Sequence, residues 1–277
     1  MTAEMEKLGK ETKLLDAGFA LQAHSEIVGI PVAAELIVAE REALSKFFGK
    51  DILIPEPPDR IFKILERFYS SGIRGLEPHY WPGQTFKKKD QFPGWNIRPK
   101  EWFWQRLKEG SVEENAATIE EGWYIIDHRP KPDYDEGLQL YKDDYLAPTI
   151  QSLRNKGLIQ TYRSVPEASR FAISPIQIER LVLPAFAQSP ELEDVMTGNE
   201  IRNKKYIEFN IWGNIFHPKW GQTNTWEWFA DKVFGGSYRL IGGNSEFGGF
   251  TRVDCSWSDD HSGHAGFSPI MGPIKKE

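Results

Sequence analysis

Paired glycines in the C-terminal segment 234–270 constrain the fold of this chain more than any other feature of its sequence. The three pairs are Gly235-Gly236, Gly242-Gly243 and Gly248-Gly249. Short apolar pieces such as 238–241 and polar runs such as 258–262 lie between and after them. Glycine permits positive φ and close backbone approach, and polar clusters between strand-like pieces are typical of loops. The segment is therefore predicted to form tight strands that carry an exposed polar loop surface, which is more typical of a binding face than of a buried core.

The composition indicates a folded protein without an extreme charge. Of 277 residues, 40% are hydrophobic and 27% are charged, which is ordinary for a globular chain. The length allows one large domain, or a domain with an N-terminal extension. The formal net charge of −6 argues against broad binding to nucleic acid or to an anionic membrane surface.

Features that the sequence lacks indicate where the chain is made and which sites it cannot form. The N-terminal stretch 1–18 has no apolar core of the signal-peptide type, and no apolar run approaches the length of a membrane span. We therefore expect synthesis in the cytoplasm without a signal peptide, and no membrane insertion. Cys255 is the only cysteine, which excludes an intrachain disulfide and a cysteine zinc site.

Aromatic residues are abundant, with 10 Trp, 9 Tyr and 17 Phe. Large rings with a polar atom suit irregular, loop-rich cores, where the indole N–H can reach a backbone carbonyl. Core packing is therefore the expected role of most tryptophans, and a stacking platform for a ligand is the expected role of one or two.

The first part of the chain, residues 1–115, is predicted to be a helical N-terminal extension. Residues 1–50 are expected to be helical, with Pro31 opening a run of good helix formers. Further helices are expected from Arg60 to Ser70, with Asp59 as N-cap, and from Pro99 to Lys108. The extension either packs on the following domain or mediates assembly. The basic run 87–89 is interpreted as a solvated loop rather than a nucleic-acid patch, because it is short and the protein is acidic.

The second part, residues 116–277, alternates strand and helix patterns. Strands are predicted at Gly122–Asp127 and Tyr206–Phe216, and helices at Asp144–Asn155 and after Ser174-Pro175. A tryptophan-rich piece at 225–233 and the glycine-rich tail follow. This order predicts an α+β fold.

The tail resembles a known family at a set of spaced positions. These are Gly235, Gly236, Ser237 and Tyr238, then Arg252 with Val253, then Trp257, and finally Gly266 and Phe267. The pattern is similar to the C-terminus of variable proteins made by diversity-generating retroelements. Members of that family have a C-type lectin fold of the subtype shared with formylglycine-generating enzymes. The resemblance covers 234–270 closely and 120–277 loosely.

The resemblance implies a fold and a function. The fold is a C-type lectin domain over 116–277, with small antiparallel sheets, two helices, long loops and a variable region at about 234–270. The function is non-enzymatic binding of a macromolecular ligand, such as a host surface protein or glycan, through a surface diversified by adenine-directed mutagenic copying. Display on a virion, a homo-oligomeric state and the absence of a cofactor are further expectations.

Individual residues take one of two expected roles in the variable region. Those expected to face the ligand are Tyr238, Ser245, Glu246, Phe247, Thr251, Asp254, Ser256, Ser258, Asp260, His261 and His264. Those expected to form the framework are Gly235, Gly236, Gly242, Gly243, Gly248, Gly249, Arg252, Trp257, Gly266 and Phe267. Phe247 is either an exposed anchor or a plug in a small core.

Enzymatic alternatives have weaker support in the sequence. The tail residues Asp254, Asp259, Asp260, His261 and His264 suggest a metal site, but imidazole is a poor calcium ligand, and transition metals favour histidines on rigid elements. Formylglycine-generating activity relies on cysteine thiols, and Cys255 is expected to be a small buried residue. We therefore expect no catalytic residue and no metal ligand. The alternatives are a metal-dependent enzyme of the same fold and an invariant structural virion protein.

Overall fold

The computed structural model describes residues 32–275. The part of the predicted N-terminal helical region that precedes residue 32 lies outside this range. Within it, no helix combines the length and the apolarity needed to cross a membrane.

Three helices lie in the N-terminal region. They are α1 (Ala33–Phe48), α2 (Asp59–Ser70) and α3 (Glu101–Lys108). The apolar side of α2 is buried through Ile61, Ile64 and Phe68, as its 3.6-residue periodicity predicts. The prediction of Asp59 as N-cap is wrong, because Pro58 occupies the N-cap position and Asp59 is the first helical residue.

A four-stranded sheet joins the two predicted regions of the chain. Its strands are β1 (Leu76–Thr85), β2 (Thr118–Asp127), β3 (Ile201–Asn203) and β8 (Pro269–Ile274). The order is β1-β2-β8-β3, and every pairing is antiparallel. The predicted strand at Gly122–Asp127 is confirmed and begins four residues earlier. The boundary predicted at residue 115 falls between the paired strands β1 and β2, so the predicted extension contributes an edge strand.

A second four-stranded sheet contains most of the tail. Its strands are β4 (Trp226–Val233), β5 (Tyr238–Gly242), β6 (Val253–Trp257) and β7 (Ala265–Gly266). The order is β6-β5-β4-β7, with β7 parallel to β4 and the other pairs antiparallel. Short 3₁₀ turns connect the strands, among them Phe234–Gly236, Ser245–Phe247 and Gly249–Thr251.

Three helical segments lie between β2 and β4 in the sequence. They are α4 (Ala147–Asn155), the helical segment α5 (175–186) and α6 (Tyr206–Ile215). The predicted cap of α5 is confirmed, because Ser174 and Gln177 form a capping box. The segment continues past Pro184 to Phe186 through a π-helical turn at Ile178–Val182.

The prediction of a strand over Tyr206–Phe216 is wrong, because this segment forms helix α6. Residues 206–213 are all buried, so the helix has no polar side whose spacing could reveal its period. Its polar residues are satisfied inside the core: Arg202 donates to Glu208 at 2.8 and 2.5 Å. Asn210 accepts a hydrogen bond from Trp95 Nε1 at 2.8 Å.

The first turn of α6 is fixed by a buried carboxyl group from the second sheet. Asp231 on β4 is 2% exposed, and its Oδ2 accepts a hydrogen bond from the Tyr206 N–H at 2.7 Å. Burial raises the pKa of Asp231 to about 7. The cost of removing the ionised carboxylate from water therefore outweighs the stabilisation that the hydrogen bond gives it.

One continuous core connects both sheets with the helices. The tryptophans that are fully or almost fully buried are Trp81, Trp95, Trp123, Trp212, Trp220 and Trp228. Core packing is thus confirmed for most tryptophans. The mixture of helices with small sheets confirms the predicted α+β class.

Candidate ligand-binding surface on the C-terminal hairpin

The hairpin β5–β6 presents the tail residues at the edge of the second sheet, because β6 is an edge strand. Tyr238 lies opposite Trp257, Leu240 opposite Cys255, and Ile241 opposite Asp254. Directly opposed residues share a face of the sheet, and successive residues alternate between faces. Tyr238, Cys255 and Trp257 therefore lie on one face, and Asp254 and Ser256 on the other.

Aromatic rings cluster on the face that carries Tyr238 and Trp257. Tyr238 and Trp257 stack with centroids 4.3 Å apart, and Phe234 contacts Tyr238 edge-on at 5.7 Å. The Arg106 guanidinium of α3 lies 5.9 Å from the Phe234 ring and 5.5 Å from the Trp102 ring. We call these five residues the aromatic patch. Phe234 is 50% exposed and Trp257 is 57% exposed, so a ligand can reach both.

A second group of rings and charges surrounds Arg252, and we call it the arginine cluster. Its guanidinium lies 5.9 Å from the Trp226 ring and 5.8 Å from the Phe247 ring, and Nη2 donates to Asp254 Oδ2 at 2.7 Å. Lys100 is close to it, since burial and the charge of Arg252 lower the pKa of the Lys100 ammonium group. Phe247 is 55% exposed and contacts Trp226 at 5.4 Å, which makes it an exposed ring rather than a core plug.

The loop 258–264 extends this surface beyond β6. Ser256 Oγ donates to Asp260 Oδ2 at 2.9 Å, which connects the strand to the loop. His264 is exposed and stacks on Tyr134 at 3.9 Å, with the ring planes 18° apart. His261 is half-buried. The loop therefore presents carboxylate, hydroxyl and imidazole groups next to the end of β6.

The remaining residues expected to face the ligand differ in accessibility. Glu246 is exposed, whereas Ser245 and Thr251 are half-buried. Ser258 is 2% exposed, so the expectation that it faces a ligand is wrong. Its Oγ donates to the Gly236 carbonyl at 2.7 Å and accepts from Arg239 Nη1 at 3.1 Å, which makes it part of the support for the hairpin.

Two residues expected to form the framework are instead accessible. Trp257 belongs to the aromatic patch, and its 57% exposure contradicts a buried structural role. Arg252 is partly exposed and is the centre of the arginine cluster. Both residues are therefore candidates for direct ligand contact.

The other framework residues hold the backbone close to its neighbours. Gly249 has φ +54°, and a side chain there would collide with the Gly221 carbonyl. A side chain on Gly242 would come equally close to the Arg252 carbonyl. Phe267 is fully buried, and Gly266 packs against Phe171. In contrast, Gly235 has open space around it, and only its φ of +67° favours glycine. The remaining framework glycines, Gly236, Gly243 and Gly248, also have positive φ.

Cys255 is half-buried on the same face as Trp257. Burial, followed by the charge of Asp254, raises the pKa of its thiol. A nucleophilic cysteine requires the opposite shift toward thiolate, so its surroundings do not favour one.

Sequence reasoning missed a second group of reactive side chains, located far from the tail. Among residues 32–275, one set of three potential metal ligands lies with its ligand atoms within 4.8 Å of one another, namely Glu77, His79 and His217. None of the five acidic and histidine residues suggested in the tail belongs to it. The spacing Glu77-Pro78-His79 was the available signal, because residues two apart on a strand share a face.

The charges in this group are strongly coupled. Burial alone would lower the pKa of His79, but the adjacent carboxylate of Glu40 raises it to about 9. Burial and the charge of His79 lower the pKa of His217 to about 3. Burial would raise the pKa of Glu77, but its contact with His128 and the charges of His79 and His128 bring it below its usual range. Glu77 is therefore ionised and His217 neutral at physiological pH.

No family model, no curated protein and no solved structure matches this chain.

Proposed function

We propose that this protein is a non-enzymatic binding module with a C-type lectin fold, and that its C-terminal surface is diversified by adenine-directed retroelement mutagenesis. The topology supports the fold assignment. β2 and β8, the first and last strands of the region 116–277, pair in one sheet, and the chain between them carries the second sheet. The matching residues of the tail support the family assignment.

One observation carries the proposed function: large rings are exposed on a hairpin whose backbone is held by buried residues. Phe247 and Trp257 are each more than half exposed. Phe250 and Leu240, in the same hairpin, are 4% and 0% exposed. Exposed aromatic residues that cluster beside polar groups mark binding surfaces, and aromatic and arginine residues dominate the energetics of recognition.

The chemistry of the surface favours a macromolecular ligand. Arg106, Arg252 and Lys100 provide positive charge beside the rings, although the protein as a whole has a net charge of −6. Rigid aromatic side chains next to short polar ones are also typical of antibody paratopes. In this proposal the ligand is a host surface protein or glycan with acidic or hydrogen-bonding groups, and no cofactor takes part.

The tail surface and the first two helices come from different parts of the chain. β6 is an edge strand of the second sheet, and α1 and α2 precede both sheets in the sequence. In this proposal α1 and α2 mount the module on a larger assembly, such as a viral particle or a homo-oligomer, with the hairpin turned outward.

The deciding experiment is to sequence the DNA that flanks the gene. The proposal requires a near-copy of the codons for 235–267 whose mismatches are confined to adenines, together with a reverse transcriptase gene. Mismatches should fall at exposed or half-exposed positions such as Asp254, Ser256, Asp260 and His264. They should be absent from the buried positions Ser258 and Phe250. Absence of the near-copy, or mismatches concentrated at buried positions, would overturn the retroelement assignment.

A binding measurement tests the surface independently of its genetic origin. The wild-type protein and a Phe247→Ala/Trp257→Ala double variant would be compared on a glycan microarray and on an array of displayed extracellular proteins. Leu53→Ala is the matched control, because Leu53 is an apolar residue that is 81% exposed in the α1–α2 connection. Signals lost in the double variant and kept in the control support the surface. Signals unchanged in the double variant would contradict it.

A further inference from the structure

The cluster around Glu77 has the donor set of a transition-metal site. Glu77 and His79 project from the same face of β1, and His217 follows the last turn of α6. The Glu77 Oε2 atom lies 3.4 Å from His79 Nε2 and 3.7 Å from His217 Nε2. A tetrahedral ion with bonds of about 2.0–2.2 Å to nitrogen and oxygen places its ligand atoms about 3.4 Å apart. The two separations from Glu77 therefore fit ligands of one ion, and the three ligand atoms all lie within 4.8 Å of one another.

The Nε2 atoms of the two imidazoles have no hydrogen-bond partner. His79 Nε2 and His217 Nε2 are both buried and lack a hydrogen bond, although each is near Glu77 Oε2. At 3.4 and 3.7 Å these contacts are too long or poorly directed for good hydrogen bonds. Buried polar atoms are normally satisfied, and His79 is 7% exposed. Coordination of one cation would satisfy both nitrogens.

Surrounding carboxylates and rings orient the three ligands. Glu40 is 2% exposed, and its Oε1 lies 2.8 Å from His79 Nδ1. Its Oε2 accepts the Tyr80 N–H at 3.1 Å, which fixes the carboxylate. A histidine that donates Nδ1–H to a carboxylate presents Nε2 to a metal, and this arrangement recurs around protein-bound zinc.

The other two ligands are held in a comparable way. His128 Nδ1 lies 2.5 Å from Glu77 Oε1, which leaves Oε2 directed at the histidines. The His217 ring stacks on Trp220 at 4.6 Å, and the His79 ring lies 4.1 Å from Phe216. All three ligands are therefore positioned before an ion arrives.

Solvent reaches the cluster at Glu77 and His128. The side chains of Glu77 and His128 are 38% and 41% exposed, whereas those of His79 and His217 are 8% and 10% exposed. Three protein ligands beside an accessible side leave a coordination position for water or another small ligand.

We propose that Glu77, His79 and His217 bind one divalent transition-metal ion, with zinc as the best match to the donor set. Glu40 and His128 act as positioning residues for the ligands. The bound ion links β1 to the chain that follows α6. This site is separate from the tail surface and does not depend on the function proposed for it.

A zinc titration of the full chain, freed of any affinity tag and of metal by chelator, tests the proposal. Competition with a chromogenic chelator measures affinity, and Co²⁺ absorption reports tetrahedral coordination. The variants are Glu77→Gln, which keeps the size of a partly exposed side chain, and His217→Gln. His264→Ala is the matched control, because it removes an exposed histidine of the tail. Circular dichroism without metal verifies that each variant folds.

We expect one equivalent of Zn²⁺ to bind wild type and His264→Ala with equal affinity. Affinity should fall at least about 100-fold in Glu77→Gln and in His217→Gln. Glu40→Gln should weaken binding about 10–100-fold, as changes next to metal ligands do. If His217→Gln does not fold, Glu77→Gln decides the question alone. The proposal is overturned if wild type binds no ion, if Glu77→Gln binds as wild type does, or if the site is lost in His264→Ala.

Discussion

The Glu77 cluster and the tail hairpin hold their candidate functional side chains in opposite ways. In the cluster, His79 is buried and its ring position depends on Glu40 and Phe216, which belong to other elements. In the hairpin, Phe247 and Trp257 are more than half exposed and lie mainly against neighbouring rings. The cluster therefore depends on particular side chains, whereas the hairpin depends on its backbone.

The backbone of the hairpin is held by a residue three positions from the exposed Phe247. The Phe250 ring packs against Gly213 and Gly221, where side chains would collide with it. Its carbonyl accepts hydrogen bonds from Tyr206 Oη at 2.8 Å and from Asn210 Nδ2 at 2.9 Å. Helix α6 thus supports the turn that presents Phe247, and the exposed side chain can change without loss of that support.

The largest expected effect is the difference in the free energy of unfolding between the Phe250→Ala and Phe247→Ala variants. Phe250→Ala should lower the free energy of unfolding by about 3–5 kcal/mol, because it leaves a cavity between α6 and the turn. Phe247→Ala should change it by no more than about 0.5 kcal/mol, as surface substitutions do. Urea denaturation of both variants measures the difference. Equal losses would show that the exposed ring also supports the fold.

The pH dependence of the free energy of unfolding tests the buried carboxyl group of Asp231, which accepts a hydrogen bond from the first turn of α6. The pKa of Asp231 is about 7 in the folded protein, above its ordinary value near 4. The folded state therefore retains a proton that the unfolded state loses between these values. The contribution of Asp231 is complete below pH 4 and is lost as pH rises through 7, at up to about 1.4 kcal/mol per pH unit.

Asp231→Asn isolates this contribution, because asparagine keeps an oxygen for the Tyr206 N–H. Urea denaturation from pH 4 to pH 8 should show that wild type loses stability relative to the variant as pH rises. A constant difference across this range would mean that Asp231 titrates normally in the folded protein.

The smallest expected effect separates two serines of the tail. Ser258→Ala should cost about 1–3 kcal/mol, because Arg239 and the Gly236 carbonyl each lose a buried hydrogen bond. Ser256→Ala removes only the half-buried bond to Asp260 and should cost about 0.5 kcal/mol. Thermal unfolding of both variants compares them. A cost at Ser256 as large as that at Ser258 would contradict the division of the tail into supporting and exposed positions.

Sequence patterns predicted the elements that carry a clear local signal. The Ser174 cap and the apolar side of α2 each depend on residues within one or two turns of helix, which a local pattern can show. Helix α6 is buried on all sides, so its polar residues Glu208 and Asn210 lie inside the core and produce a misleading two-residue alternation. The partners of Asn210 include Trp95 and Phe250, which are distant in sequence. β1 contains Pro78 and Pro82, which are tolerated because it is an edge strand, a fact of topology rather than of local sequence.

The two candidate sites also differ in how far a local sequence pattern reveals them. The glycines of the tail indicated where a surface would form, because positive φ is a local requirement. Which side chains reach solvent depends on strand pairing: Ser258 and Trp257 are adjacent in sequence, yet one is buried and the other exposed. In the Glu77 cluster, His217 follows Glu77 by 140 positions, and no local pattern connects them.

The position of β8 makes the first sheet depend on the correct reading of the whole tail. This strand comes after the tail in the sequence, but it lies between β2 and β3 in the first sheet. A chain whose synthesis stops within the tail, or whose reading frame shifts there, lacks the strand that joins those two. Such a product cannot complete the first sheet, so a stop or a frameshift within the tail should destabilise β2 and β3, which lie far from the altered codons.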